Sequence, residues 1–228
     1  MPLLQLEFAE ALPYEVASRL DDQSIHLWRI PYASLQRRAP LVTLLAGYLG
    51  IPETSVALGE DARGKPYLAN AARTRGDGAA LEFNWSHSGD YALVALCRRG
   101  AVGVDIERLG KNLRAIEIAR RFFDAGEADV LEALDPGARD HAFIGLWCAK
   151  EAVLKAVGEG LSFGLARLAF EHVADADWNL ARADPALGEA QDWRVSGFDA
   201  APGYRGCLAW RGGNRRIFAF QRLSAAPR

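Results

Sequence analysis

Lysine is scarce in this chain, with four residues against 23 arginines. Scarcity makes position informative: three of the four, Lys65, Lys150 and Lys155, stand beside other polar residues at ordered spacing, and the fourth is Lys111. Net charge is also small, −2 over 228 residues, which argues against a general nucleic-acid binder or a membrane-surface binder. Cysteine is sparse too. Cys97, Cys148 and Cys207 are odd in number, show no C-x-x-C spacing and sit in apolar segments, so they read as reduced, buried thiols rather than a disulfide framework. No apolar run is long enough to span a bilayer, the longest lying near residues 41–51. Glu7 and Glu10 interrupt the stretch where a signal peptide would need its apolar core, so the cytoplasm is the expected location.

The remaining composition is that of an ordinary globular protein, 50% apolar and 25% charged. A compact chain of this length buries about 70–75% of its unfolded surface. Strands are predicted over 24–31, 81–85, 91–97 and 101–107, the last with period-2 alternation, and a hairpin turn at 98–100 joins the last two. Further strands are expected over 165–173, 193–198, 204–210 and 216–223. Helical periodicity predicts an amphipathic helix over 36–50, interrupted early by Pro40, and helices over 113–134 and 138–157, the latter stopped by Gly158 and Gly160. Polar 70–78 and Asp/Pro-rich 174–189 read as loops. The pattern predicts an α+β fold of two halves, residues 1–100 and 101–228, with no low-complexity linker between them.

Two segments carry chemistry. In Val102-Gly103-Val104-Asp105-Ile106-Glu107, apolar and polar residues alternate, so both carboxylates leave one face of a strand about 7 Å apart. Gly103 beside them would leave room for a ligand. From Ala142 to Val157 the chain is apolar except for Gly145, Lys150, Glu151 and Lys155, and on a helix the three charges span an arc of roughly 140°. Asp105, Glu107 and Glu151 would supply the hard oxygen ligands that Mg²⁺ takes alongside substrate phosphates. A plainer reading stands beside this one: a solvated strand face, and a Glu151–Lys155 surface pair worth only ~0.3–0.5 kcal/mol.

The order Arg63-Gly64-Lys65-Pro66-Tyr67, Asn84-Trp85-Ser86-His87-Ser88, Gly103-Val104-Asp105-Ile106-Glu107 and Trp147-Cys148-Ala149-Lys150-Glu151-Ala152-Val153-Leu154-Lys155 resembles the 4'-phosphopantetheinyl transferase superfamily. The pattern of that family reads G-K-P, N-x-S-H-S, G-[IV]-D-x-E and W-x-x-K-E-[AS]-x-x-K. Arg121-Phe122-Phe123 with Glu127, and Gly160-Leu161-Ser162-Phe163, are similar to its connecting segments, so the resemblance spans about residues 37–170. Length favours the long, single-chain, surfactin-synthetase-activating type. The resemblance implies two similar α+β halves in a pseudo-twofold arrangement, a monomer, and an active site in the cleft between the halves.

It further implies transfer of 4'-phosphopantetheine from coenzyme A to a serine of an apo acyl or peptidyl carrier protein, with Mg²⁺, releasing adenosine 3',5'-bisphosphate. Asp105, Glu107 and Glu151 would hold the metal. Asp105, Glu151 and Lys155 would be catalytic, with Glu151 the first candidate for the base, directly or through a metal-bound water. Lys155 would stabilise charge on the diphosphate, and Lys150 would either position it or brace Glu151. Ser86, His87, Lys65 and Arg38, with Arg37 as alternative, would bind the nucleotide end. His26, His141 and His172 read as structural. Trp85 departs from the pattern, which has a smaller aliphatic residue there, and residues 1–35 lack lysines that some members use. Two other functions fit the same residues: an Mg²⁺-dependent phosphohydrolase, and a non-catalytic module that binds carrier protein or nucleotide. Arg108, Lys111, Arg114, Arg120 and Arg121 against the single acid Glu117 suggest a docking segment for an acidic carrier.

Overall fold

The computed structural model describes residues 4–69, 80–110, 114–175 and 177–222. They form an α+β fold of two units, one of residues 6–100 with 214–222, the other of residues 4–5 with 101–213.

The first unit contains β1 (Ala9–Ala11), α1 (Pro13–Val16), β2 (Ser24–Pro31), α2 (Ala39–Leu49), β3 (Leu58–Glu60), β4 (Pro66–Leu68), β5 (Glu82–Ser88), β6 (Tyr91–Cys97) and the chain's last strand, β12 (Arg216–Arg222). Five of them make one sheet in the order β1-β12-β2-β6-β5. β12 lies parallel to both β1 and β2, while β2, β6 and β5 run antiparallel. The expectation of a continuous 101–228 half is therefore corrected: β12 completes the sheet begun by the N-terminal strands. Parallel pairing is set by a long connection, and the local sequence of 216–222 carries no record of its partner.

Pro40 begins α2 rather than interrupting it. A first-turn proline gives up an N–H that has no helical acceptor there, so the helix starts at Ala39 and not at Gln36. It ends at Gly50, whose φ of 68° is left-handed and whose N–H reaches Ala46 O at 2.8 Å. Leu41, Leu44, Leu45 and Tyr48 recur at helical spacing and pack with Trp28, Ile30, Phe83, Val94, Leu96 and Phe220 of the sheet. Tyr48 Oη accepts from Trp28 Nε1 at 2.8 Å and shares a hydrogen bond of 2.6 Å with His26 Nδ1. Burial, then Arg19, hold His26 down at about 4, which makes it a neutral core residue.

The second unit contains β7 (Val102–Arg108), α3 (Ala115–Phe122), α4 (Ala125–Ala133), α5 (Pro136–Val157), β8 (Ala169–Ala174), β9 (Asp177–Arg182), β10 (Trp193–Ala201) and β11 (Tyr204–Arg211). β10, β11 and β7 form an antiparallel sheet with β7 at one end, and β8 and β9 form a hairpin. The helix expected over 113–134 is two, and residue 113 lies outside the described residues. Asp124 ends the first and caps the second: its carboxylate accepts Gly126 N–H at 3.0 Å, and Glu127 accepts Asp124 N–H at 3.0 Å. The strand expected from 165 begins at Ala169, after two single 3₁₀ turns, and the expected loop 174–189 holds β9. Trp178 anchors β9, buried and donating from Nε1 to Ala142 O at 2.9 Å. The 70–78 loop and residue 223 lie outside the described residues. Among the described residues no helix is long and apolar enough to cross a membrane.

Candidate active site

α5 runs 22 residues, about 33 Å at 1.5 Å per residue. Its approach to β7 is set by Gly103. A Cβ there would stand 1.9 Å from Ala152 O and 2.6 Å from Ala156 N, so the space expected for a ligand is filled by the backbone of α5. That contact brings the polar face of β7 under the helix. Asp105 is buried at 2% exposure and accepts from Lys155 Nζ at 2.5 Å. The face is therefore not a solvated one.

Lys155 reaches across to Asp105, so Glu151, one turn earlier on α5, is not locked in a surface pair with it. Glu151 Oε1 is buried and has no hydrogen-bond partner among the described residues. Burial is the main cause that pushes the Glu151 carboxyl up, to about 7; Lys155 opposes it, and the charges of Asp105 and Glu107 add to it. For Lys155, burial alone would lower the ammonium, but Asp105 outweighs it and holds Lys155 above its ordinary range.

The fit of this set to a hard cation can be tested on those facts. Among the described residues no group of three or more His, Cys, Asp or Glu side chains is gathered as a metal cluster. Asp105, Glu107 and Glu151 are nonetheless close enough for the first two to disfavour ionisation of the third, and an orphaned carboxylate oxygen lies among them. An all-oxygen set of this kind suits Mg²⁺.

Lys150 is not part of this set, and its assignment to the cofactor is corrected. It is fully buried, and its Nζ meets Glu127 Oε2 at 2.8 Å, Leu165 O at 2.9 Å and Leu168 O at 2.6 Å, which uses all three protons. Glu127 also accepts Phe170 N–H at 2.8 Å. The physical reason is angular. Successive helical residues differ by about 100°, so Lys150 leaves α5 toward α4 and the 165–168 turn, while Glu151 and Lys155, about 40° apart, face β7. Sequence reasoning missed this pair; Asp124-x-x-Glu127 is a capping-box signal, but it names no partner for the other oxygen of Glu127.

The residues expected at the nucleotide end all lie in the other unit. Lys65 follows the turn at 61–65, where Asp61 Oδ1 accepts the N–H of both Arg63 and Lys65 at 2.9 Å. Its ammonium is lowered by burial, with Glu82 and Asp61 opposing. Ser86 and His87 are neighbours on β5, the outermost strand of its sheet, and so face opposite sides: Ser86 is buried with Asn84 and Ser88, and His87 is exposed. A ligand touched by both side chains has to straddle that edge. The His87 ring stacks on Tyr32, with centroids 4.5 Å apart and planes at 24°. Arg38, at the start of α2, pairs with Glu60 at 2.6 Å, while Arg37 is exposed with a φ of 49°.

The expected docking arginines are partly committed elsewhere. Arg120 binds Asp129 at 2.5 Å and also Glu132, Arg114 pairs with Glu117 at 3.2 Å, and Lys111 lies outside the described residues. Arg121 stacks over Phe122 and borders an apolar groove of about 390 Å³ lined by Ile118, Trp147, Leu161 and Leu165.

Comparison with known proteins agrees with these motifs. Residues 101–208 match the model of the 4'-phosphopantetheinyl transferase superfamily, and residues 32–99 match that of the 4'-phosphopantetheinyl transferase N-terminal region. The chain is 35% identical over 164 residues to a Synechocystis protein provisionally named a 4'-phosphopantetheinyl transferase, covering 71% of this chain and 62% of that one. It is 35% identical over 125 residues to the 4'-phosphopantetheinyl transferase HetI of a Nostoc species, covering 55% and 51%. Identity to the Bacillus subtilis 4'-phosphopantetheinyl transferase is 32% over 123 residues, covering 54% and 50%. The chain thus spans about half to three-fifths of the length of these relatives. Two adjoining models of one family, and within them the Asp105–Lys155 pair with Glu151 beside it, place the chain in the 4'-phosphopantetheinyl transferase superfamily.

Proposed function

We propose that the protein transfers 4'-phosphopantetheine from coenzyme A to a serine hydroxyl of an apo carrier protein, releasing adenosine 3',5'-bisphosphate. The observation that carries this reading is the meeting of Glu151 and Lys155 of α5 with Asp105 of β7, where burial pushes the half-buried Glu151 carboxyl up to about 7. A base works best when its pKa is near the operating pH. In the proposed reaction the serine oxygen bonds to the pantetheine-side phosphorus, the bond from that phosphorus to the bridging oxygen breaks, and the serine proton passes to Glu151. Lys155 stabilises the charge that gathers on the diphosphate as that bond breaks. Asp105 holds Lys155 in place. Asp105, Glu107 and Glu151 would hold Mg²⁺, which when bound neutralises diphosphate charge.

At the other end of the substrate, Lys65, Ser86, His87 and Arg38 bind the nucleotide, with His87 on the 3'-phosphate. Arg121, Phe122 and the groove beside them receive the carrier. The protein acts as a cytoplasmic monomer and needs neither nucleic acid nor a membrane.

A mass measurement tests the reading. Incubation with coenzyme A, Mg²⁺ and an apo carrier protein should add one phosphopantetheine group to the carrier. An unmodified carrier together with release of inorganic phosphate would favour the phosphohydrolase, and an unmodified carrier with intact coenzyme A would favour a binding module.

A further inference from the structure

Three aromatic rings meet on one face of β5 at its outer end. Trp85 and His87 are two residues apart and share that face. Tyr32 follows β2, and its backbone N–H donates to Asp90 O at 2.8 Å, which ties it to the turn that closes β5 onto β6. The Tyr32 and His87 rings are stacked, Trp85 leans on His87 at 5.3 Å and 57°, and Trp85 meets Tyr32 edge to face at 5.9 Å and 79°. Of the three, Trp85 also packs against the core, whereas His87 is exposed. An exposed histidine ordinarily samples several rotamers, and each contact it makes must offset the entropy of choosing one. Here two rings fix the plane of the imidazole. Stacking occupies a face of the ring, and hydrogen bonds leave through its nitrogens in the plane, so the stack orients the ring without competing for its ligand.

We propose that Tyr32 and Trp85 are positioning residues for the terminal phosphate monoester of the nucleotide: by clamping the His87 ring they set the preference for a nucleotide that carries a 3'-phosphate over one that lacks it. The proposal rests on the reading of His87 given under Proposed function.

The test compares binding of coenzyme A and dephospho-coenzyme A by calorimetry, without carrier protein, in wild type, Tyr32→Leu, Tyr32→Phe, Trp85→Phe and His87→Ala, and in the double variant Tyr32→Leu/His87→Ala. Wild type should prefer coenzyme A by about tenfold or more, the scale of one hydrogen bond to a charged group. Tyr32→Leu should bring that ratio toward one with dephospho-coenzyme A affinity unchanged, and Tyr32→Phe, which keeps the stacking face, should restore it. Adding Tyr32→Leu to His87→Ala should change the ratio no further. A ratio kept intact in Tyr32→Leu while His87→Ala abolishes it would overturn the proposal and leave the reading of His87 standing. Equal weakening of both ligands in Tyr32→Leu would also overturn it, as the mark of a merely structural role. A wild type without preference, unaffected by His87→Ala, would overturn both. Trp85→Phe keeps a ring against the core and repeats the test should Tyr32→Leu fold poorly.

Discussion

Lys155 donates to Asp105 Oδ1 at 2.5 Å across fifty residues of chain, and the two ends of that bond differ sharply in burial: 29% of the Lys155 side chain is exposed and 3% of Asp105. Removal of either partner therefore has unequal structural cost. An ammonium left alone can turn to water, whereas a buried carboxylate cannot.

Asp105→Ala and Lys155→Met should each lower kcat by at least about 100-fold, the scale of losing one electrostatic stabiliser. Lys155→Met should lower the melting temperature more than Asp105→Ala. Because the two act as one pair, the double variant should lose little more activity than the worse single one. Multiplicative losses in a steady-state cycle would mean that the residues act separately.

Glu151 should make stability depend on pH with an identifiable sign. Its folded pKa of about 7 lies above the ordinary 4.5, so between those values the folded state holds more protons than the unfolded one. The associated stability is fully present below about 4.5 and is lost as pH rises through about 7. Glu151→Gln should accordingly be more stable than wild type at pH 8, by about 2–3 kcal/mol at most, and gain little at pH 4. Added Mg²⁺ should shrink the difference at pH 8 by stabilising wild type alone. Urea melts at both pH values check this, and a difference independent of pH would refute the assigned environment of Glu151.

How much of this was legible in the sequence varies with the range of the interaction involved. β2 and β6 were readable because a short, mostly apolar run bounded by turn residues is a local signal, and the carboxylate face of β7 was readable because alternation is local too. Gly103 was misread because a glycine next to carboxylates is equally consistent with a ligand and with a helix, and only the position of α5 separates the two. Lys150 was misread because an arc of charges on a helix says nothing about how many neighbours surround that helix. α5 is packed on several sides, so adjacent charges on it serve different partners. The division of 113–134 hinged on Asp124, whose capping role was present in the sequence but obscured by helix-forming residues on both sides.

The Lys150–Glu127 pair should behave as structure and not as a coenzyme contact. Removing one partner of a buried ion pair typically costs about 3–5 kcal/mol. Glu127→Leu should be the worse change, since it leaves a buried ammonium with two carbonyls, while Lys150→Met leaves Glu127 the N–H groups of Phe170 and Asp124. The double variant Glu127→Leu/Lys150→Met should recover part of the loss. Wherever the single variants fold, KM for coenzyme A should stay within about twofold to threefold of wild type, a shift well under 1.4 kcal/mol. A selective rise in that KM for Lys150→Met would return Lys150 to the binding site.

Gly103→Ala should damage catalysis through geometry alone. The new methyl would meet backbone on α5, at 1.9 Å from Ala152 O and 2.6 Å from Ala156 N, and neither atom is the end of a flexible side chain. Helix and strand must then separate, and the residues that separate with them are Asp105 on one side and Glu151 and Lys155 on the other. Overpacking of this kind costs about 1–3 kcal/mol, so the protein should still fold with a lowered melting temperature. Turnover should fall by about 100-fold, because a shift of about 1 Å at aligned reacting groups has that effect. Nucleotide binding should change little, since Ser86 and His87 stand on β5. Gly137→Ala, on the same helix where an added Cβ meets nothing within 4 Å, is the control and should leave both activity and stability at or slightly above wild type. Wild-type turnover in Gly103→Ala would show that the close approach of α5 to β7 is dispensable, and with it the proposed alignment of Glu151 against Asp105.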